Sequence, residues 1–175
     1  NIVAEKICPF CRTPTPTSEE EMVKREKNRM EKDDPIAIYN QGCNYHEGAC
    51  GFPQDHDKAL ELFRRAGDLG YAGAYLGIGN AYDVGQGVEV DKKKATHYYE
   101  LAAMKGNALA RQNLGREEGM AGNMDRALKH HLIAVRSGCA ESLNRIKIYY
   151  SAGLATKSHY TKALQSYQTY LGEIK

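Results

Sequence analysis

The sequence predicts an all-α chain built as a right-handed α-solenoid of about four helix-turn-helix repeats, and three observations carry that prediction. The basic-alanine pairs Lys58-Ala59, Lys94-Ala95, Arg126-Ala127 and Lys162-Ala163 recur at spacings of 36, 32 and 36 residues. A fixed period of this size marks stacked supersecondary units. Four residues after each alanine stands a ring, Phe63, Tyr99, His131 and Tyr167, and seven after it come Ala66, Ala102, Ala134 and Tyr170. Offsets of 0, 4 and 7 lie on one helix face. All five prolines, at 9, 14, 16, 35 and 53, fall in the first third, so nothing after Gln54 forbids helix.

Composition narrows the function classes. With 24 Lys plus Arg against 22 Asp plus Glu, the net charge of +2 supplies no basic face for nucleic acid. At 42% apolar and 26% charged residues the chain resembles an ordinary globular domain, and no run reaches the ~18 apolar residues of a membrane span. The expectation is no nucleic-acid partner and no membrane partner. Five unevenly spaced cysteines do not form a disulfide framework, which points to reduced thiols and an intracellular, cytoplasmic setting. The chain begins with Asn and shows no leader segment, so it reads as a piece of a longer protein.

Taken in order, residues 1–17 hold Cys8-Pro9-Phe10-Cys11-Arg12 and a Pro/Thr linker from Thr13 to Thr17. Two thiolates two residues apart can close on one tetrahedral zinc, but they supply half a structural site. Residues 18–34 open with Ser18-x-x-Glu21, a capping box, and continue as a charged connecting helix with i,i+4 pairs Glu20/Lys24 and Glu21/Arg25. Met22, Val23 and Met30 offer a way to dock it on the first repeat.

Residues 35–175 divide into units of about 35–71, 72–107, 108–139 and 140–175. The first helix of each carries an apolar stripe: Ala37, Gln41-Gly42, Tyr45; Ala74, Ile78-Gly79, Tyr82; Ala110, Leu114-Gly115; then Ile146 and Tyr150. Glycine inside a helix costs about 1 kcal/mol relative to alanine, so its recurrence at 42, 79 and 115 implies a neighbouring helix in close contact. Asp55, Asp91 and Asn123 precede the second helices as caps, and Gly70, Gly106 and Gly138 can end them. The turn between helices is clearest as Gly85-Gln86-Gly87-Val88.

This pattern of Ala, apolar-Gly, Tyr, Gly-x-Gly-Val, a capping Asp, Lys-Ala, an aromatic, Ala-Ala and Gly resembles the Sel-one-like repeat, a relative of the tetratricopeptide repeat. The second unit, Gly73 to Asn107, matches nearly throughout. The third has Glu118 in place of the Tyr and a loop shortened to Ala121-Gly122, and the fourth has Lys147 in place of the glycine and Ile174 in place of the terminal one. The resemblance implies a curved superhelix with a concave face that holds a protein or peptide partner. Cys-Pro-x-Cys-Arg, in turn, resembles the last ligand pair of a RING-type zinc finger. That resemblance implies Cys8 and Cys11 as zinc ligands in the full-length parent, Arg12 as a contact to a ubiquitin-conjugating enzyme, and six further ligands before Asn1. Ordinary cysteines in an extended segment and a redox pair are the other readings of the same four residues.

The remaining constellations are weaker. Cys43, His46 and Cys50, with His56 nearby, could meet a metal, but structural cysteine and a surface histidine are the better reading. His131 takes the aromatic position of its repeat and is expected to pack. Lys92-Lys93-Lys94 reads as the exposed start of a helix. No Ser, His and Asp arrangement or phosphate loop appears, since Gly85-x-Gly87 lies between helices rather than after a strand.

The expected function is therefore a non-catalytic adaptor, the partner-binding part of a RING-type ubiquitin ligase. The alternatives are an adaptor with no ubiquitin link, and a hydrolase of the cysteine-rich bacterial kind, whose members carry a cysteine pair in each repeat as this chain does not. Helix geometry predicts the partner surface opposite the buried stripe. One row is Asn40, Gly77, Asn113 and Arg145, the other Cys43, Asn80, Arg116 and Ile148, with Asp83 one turn on.

Overall fold

The computed structural model describes residues 19–173, and among these every regular element is an α-helix. The chain divides into two compact units, one ending at Gly70 and the other beginning at Tyr71.

In the first unit, α1 (Glu19–Met30) packs on α2 (Pro35–Glu47), which folds back on α3 (His56–Asp68). Only the second of the two expected charge pairs falls among described side chains, Arg25 with Glu21 at 2.7 Å. Ser18 lies outside the described residues, and so do Cys8, Cys11 and Arg12. The connecting helix ends four residues before the expected boundary, because Asp34 caps α2, accepting from the N–H groups of Ile36 at 2.9 Å and Ala37 at 3.3 Å. Arg29 donates to the same carboxylate at 2.8 Å, and Arg65 on α3 donates to Asp33 at 2.6 Å. The α1–α2 junction is thus tied to the hairpin by charge-assisted bonds.

In the second unit, α4 (Ala72–Val84) pairs with α5 (Lys92–Met104), and α6 (Ala108–Met120) with α7 (Met124–Arg136). Then α8 (Ala140–Ser151) packs on α7, and α9 (Lys157–Glu173) packs on both α8 and α7. Tyr99, Ala95, Ala102, Ala103, Ala110 and Leu114 form one buried cluster, and Leu128, Val135, Ile146, Ala155 and Ala163 form another. No helix among the described residues is long and apolar enough to cross a membrane.

The local signals act as their chemistry requires. Asp55 and Asp91 cap α3 and α5, each accepting from the N–H three residues on, at 2.9 and 3.0 Å. The main-chain N–H of each also donates to the last tyrosine of the preceding helix, Asp55 to Tyr45 at 2.8 Å and Asp91 to Tyr82 at 2.9 Å, which closes the hairpin. Asn123 departs from this. Its side chain makes no cap bond; the shortened loop gives it φ −83° and ψ 64°, and its amide donates instead to Glu118 at 2.8 Å. Gly70, Gly106 and Gly138 follow the ends of α3, α5 and α7 with φ of 93°, 85° and 83°, a conformation that L side chains adopt only at a cost.

The fourth pair forms despite its departures. Lys147 is exposed, while Ile146 and Ala163 are buried. Tyr170, standing where the other repeats have alanine, lies against Gly138, which has room for it because it lacks a Cβ.

Candidate functional site

Four of the six Asn, Asp and Arg residues expected on the partner surface meet on one strip of the second unit. Asn80 on α4 accepts at Oδ1 from the hydroxyl of Tyr99 at 2.9 Å and from Asn113 Nδ2 on α6 at 3.3 Å. One turn along, Arg116 donates to Asp83 Oδ2 at 2.9 Å. Lys92, the first residue of α5, donates to Asp83 Oδ1 at 2.5 Å and to its backbone carbonyl at 2.6 Å. The Asp83 side chain is only 12% exposed, so both its oxygens leave water in exchange for these cations. Both α4–α6 contacts join residues 33 apart.

Beneath the strip, the hydroxyl of Thr96 lies 2.8 Å from both the Lys92 carbonyl and Glu117 Oε2. A hydroxyl has one proton to give, so Thr96 shares it between these two acceptors. Burial pushes the Glu117 carboxyl up from its ordinary pKa and the Asp83 charge adds to this, against Thr96, Arg116 and Lys92. Burial likewise holds the Tyr99 phenol above its usual range, so at neutral pH it remains a donor to Asn80.

The other two expected residues lie apart from this network. Asn40 is half-buried on α2 in the first unit and has contacts of its own. Arg145 is half-buried on α8, close enough to His131 for its charge to act on that imidazole. His131 packs as expected. Its Nδ1 lies 3.2 Å from Ser142 Oγ, its ring meets Tyr149 at 5.8 Å, and burial first, then Arg145 and His130, push its pKa down to about 4.

The competing metal constellation is not gathered. Cys43 is a half-buried thiol and Cys50 an exposed one, and His46 meets the ring of His56 at 5.2 Å. Among the described residues no three His, Cys, Asp or Glu side chains come together as a metal site. By repeat register His46 and His56 occupy the places of Asp83 and Lys92, so a cross-loop contact recurs with different chemistry.

Sequence reasoning missed Lys92, Thr96, Glu117 and the hydroxyl of Tyr99 as members of this strip. Lys92 is the only one with a readable signal, because it follows the capping Asp91 directly and so starts α5 across the loop from Asp83.

Comparison with known proteins gives these features a family. The model of the Sel1 repeat matches residues 35–71 and 72–107. The chain is 35% identical over 100 residues to the ERAD-associated E3 ubiquitin-protein ligase component HRD3B of Arabidopsis thaliana, an alignment covering 55% of this chain and 17% of that protein. It is 38% identical over 73 residues to HRD3A of the same plant, covering 42% of this chain and 11% of that one. The chain therefore spans less than a fifth of either relative. Among solved structures, a Sel1 repeat protein from Oxalobacter formigenes superposes with a TM-score of 0.74 at 25% identity, covering 86% of this chain and 64% of the other. The protective antigen c5321 of uropathogenic Escherichia coli, which displays an SLR fold, gives a TM-score of 0.71 at 27% identity over 82% of this chain and 33% of its own. The chain thus carries Sel1 repeats at residues 35–71 and 72–107, and its helical pairs are similar to those of solved Sel1 repeat proteins.

Proposed function

We propose that the chain is a protein-interaction adaptor in a ubiquitin-ligase assembly, holding a partner segment on the strip formed by Asn80, Asp83, Asn113 and Arg116. The observation that carries this reading is the strip itself: polar side chains of two successive repeats, aligned and at least partly open to solvent, in a chain similar to ligase components named HRD3. At its surface the strip presents amides and an ion pair, groups that suit binding of a peptide segment. Cys8, Cys11 and Arg12 extend the proposal: with further ligands from the parent they would complete a RING that holds zinc and recruits a ubiquitin-conjugating enzyme.

The test is to isolate the tagged full-length parent from its own cells and supply ubiquitin, its activating enzyme and a panel of conjugating enzymes. Ubiquitin transfer to a co-isolated protein, reduced by Asn80→Asp, supports the adaptor reading. No transfer with any conjugating enzyme removes the ligase link. Transfer that is indifferent to Asn80→Asp puts the partner elsewhere on the chain.

A further inference from the structure

The strip is unevenly supplied with hydrogen-bonding groups. Both oxygens of Asp83 are engaged, by Lys92 and Arg116. Asn80 Oδ1 already accepts twice. Glu117 Oε2 faces Thr96, and Oε1 is buried. The carboxylate oxygens of the strip are thus engaged internally or closed to solvent. The donors are not: a guanidinium carries five N–H groups, an ammonium three and an amide two. The Lys92 side chain is 66% exposed and that of Arg116 42%. Because Oδ1 of the exposed Asn80 faces Tyr99 and Asn113, its Nδ2 is turned the other way, toward whatever lies on the strip.

We propose that the occupant is an acidic, extended protein segment, with a carboxylate seated against Arg116 and Lys92 and a main-chain carbonyl accepting from Asn80 Nδ2. This rests on the strip being the partner-holding surface and adds the partner's chemistry. A cationic segment would find no open carboxylate, since Asp83 is 12% exposed and engaged on both oxygens and Glu117 Oε1 is buried. A neutral segment could use Asn80 but would leave the two cations unmatched. The two cations stand open to solvent while Asp83 and Glu117 Oε1 beside them are withdrawn from it, so an incoming carboxylate meets the cations, and Arg116 can keep its bond to Asp83 while donating from Nη1.

The experiment measures fluorescence anisotropy of the full chain with three end-capped nonapeptides, repeats of Glu-Ser-Gly, Gln-Ser-Gly and Lys-Ser-Gly. The Glu peptide should bind about tenfold more tightly than the Gln peptide, a difference of about 1.4 kcal/mol, with no saturable binding of the Lys peptide. Arg116→Gln should bring the Glu peptide down to the level of the Gln peptide. Asn80→Asp keeps an oxygen facing Tyr99 and Asn113 and replaces only the outward N–H donor, so it should weaken the Glu peptide about tenfold with an unchanged thermal midpoint. Equal binding of the Glu and Gln peptides, both weakened by Asn80→Asp, would retain the strip as a peptide site and overturn its acidic preference. Glu-peptide binding indifferent to both variants would overturn the strip itself. So would the absence of binding by the Glu peptide. A single-stranded oligonucleotide that displaces the Glu peptide at equal concentration would make the strip a phosphate site and overturn the proposal.

Discussion

Gly79 lies directly beneath the ring of Tyr99: a Cβ placed on residue 79 would stand 2.6 Å from both Cδ1 and Cε1 of that ring. The same contact joins Gly42 to Phe63 at 2.6 Å and Gly115 to His131 at 2.8 Å. The first three helical pairs are therefore each locked by a missing side chain on one helix and a ring on the other. Gly79→Ala should gain about 1 kcal/mol in helix propensity and lose about 1 to 3 kcal/mol to overpacking, for a net loss seen as a lower urea midpoint. Gly172→Ala, in open space on α9, should be neutral or stabilising. The two responding alike would mean that the ring contact is not what demands the glycine.

Tyr99 has two roles that can be separated. Tyr99→Ala empties a fully buried site and should cost about 3 to 5 kcal/mol. Tyr99→Phe keeps the ring and removes only the bond to Asn80, which should cost about 0.5 to 1.5 kcal/mol. An unchanged urea midpoint in Tyr99→Ala would sink the repeat register.

His131 should make stability depend on pH. Its pKa in the fold is pushed down to about 4, against about 6.5 for the unfolded chain, so between those values the unfolded state holds the extra proton. Stability contributed by the neutral, buried imidazole is then complete above about pH 6.5 and is lost as pH falls toward 4, by up to about 3 kcal/mol. Glu117, raised by burial, acts in the opposite sense, so the readout is the difference between the parent and His131→Phe. That difference in urea midpoint should favour the variant increasingly from pH 7 to pH 5. His131→Phe should be tolerated at neutral pH, losing only the contact to Ser142.

Asn80 and Arg116 cannot be truncated without structural cost, although as surface residues they would be expected to tolerate it. Each carries a bond between α4 and α6, so Asn80→Ala with Arg116→Ala should lower the urea midpoint by the equivalent of about 1 to 2 kcal/mol. A double variant as stable as the parent would show these bonds to be absent in solution.

The fold was legible because its signals are local and repeated. The capping aspartates, the terminal glycines and the 0, 4, 7 spacing of alanine and ring each act within a few residues, and four copies allow them to be cross-checked. The glycines at 42, 79 and 115 announced a helix in close contact, and the structure places a ring against each. Asn123 shows where this stops, since its capping depends on a loop length that pattern alone does not convert into dihedral angles. The strip was half legible. Helix geometry placed Asn80, Asp83, Asn113 and Arg116 on one side, but that Asp83 would take two cations depends on how α4, α5 and α6 stack. Of the three lysines Lys92 alone follows the capping Asp91 directly, but that it reaches Asp83 depends on packing.

The most direct test of the account places a photo-crosslinking side chain at Ile148, an exposed position in the expected partner rows, and separately at His97, exposed on α5. Each variant would be expressed as the full-length parent in its own cells. The account predicts a discrete crosslinked partner from position 148 that fades when Asn80→Asp is added, and none from position 97. A partner captured from position 97 and untouched by Asn80→Asp would contradict it.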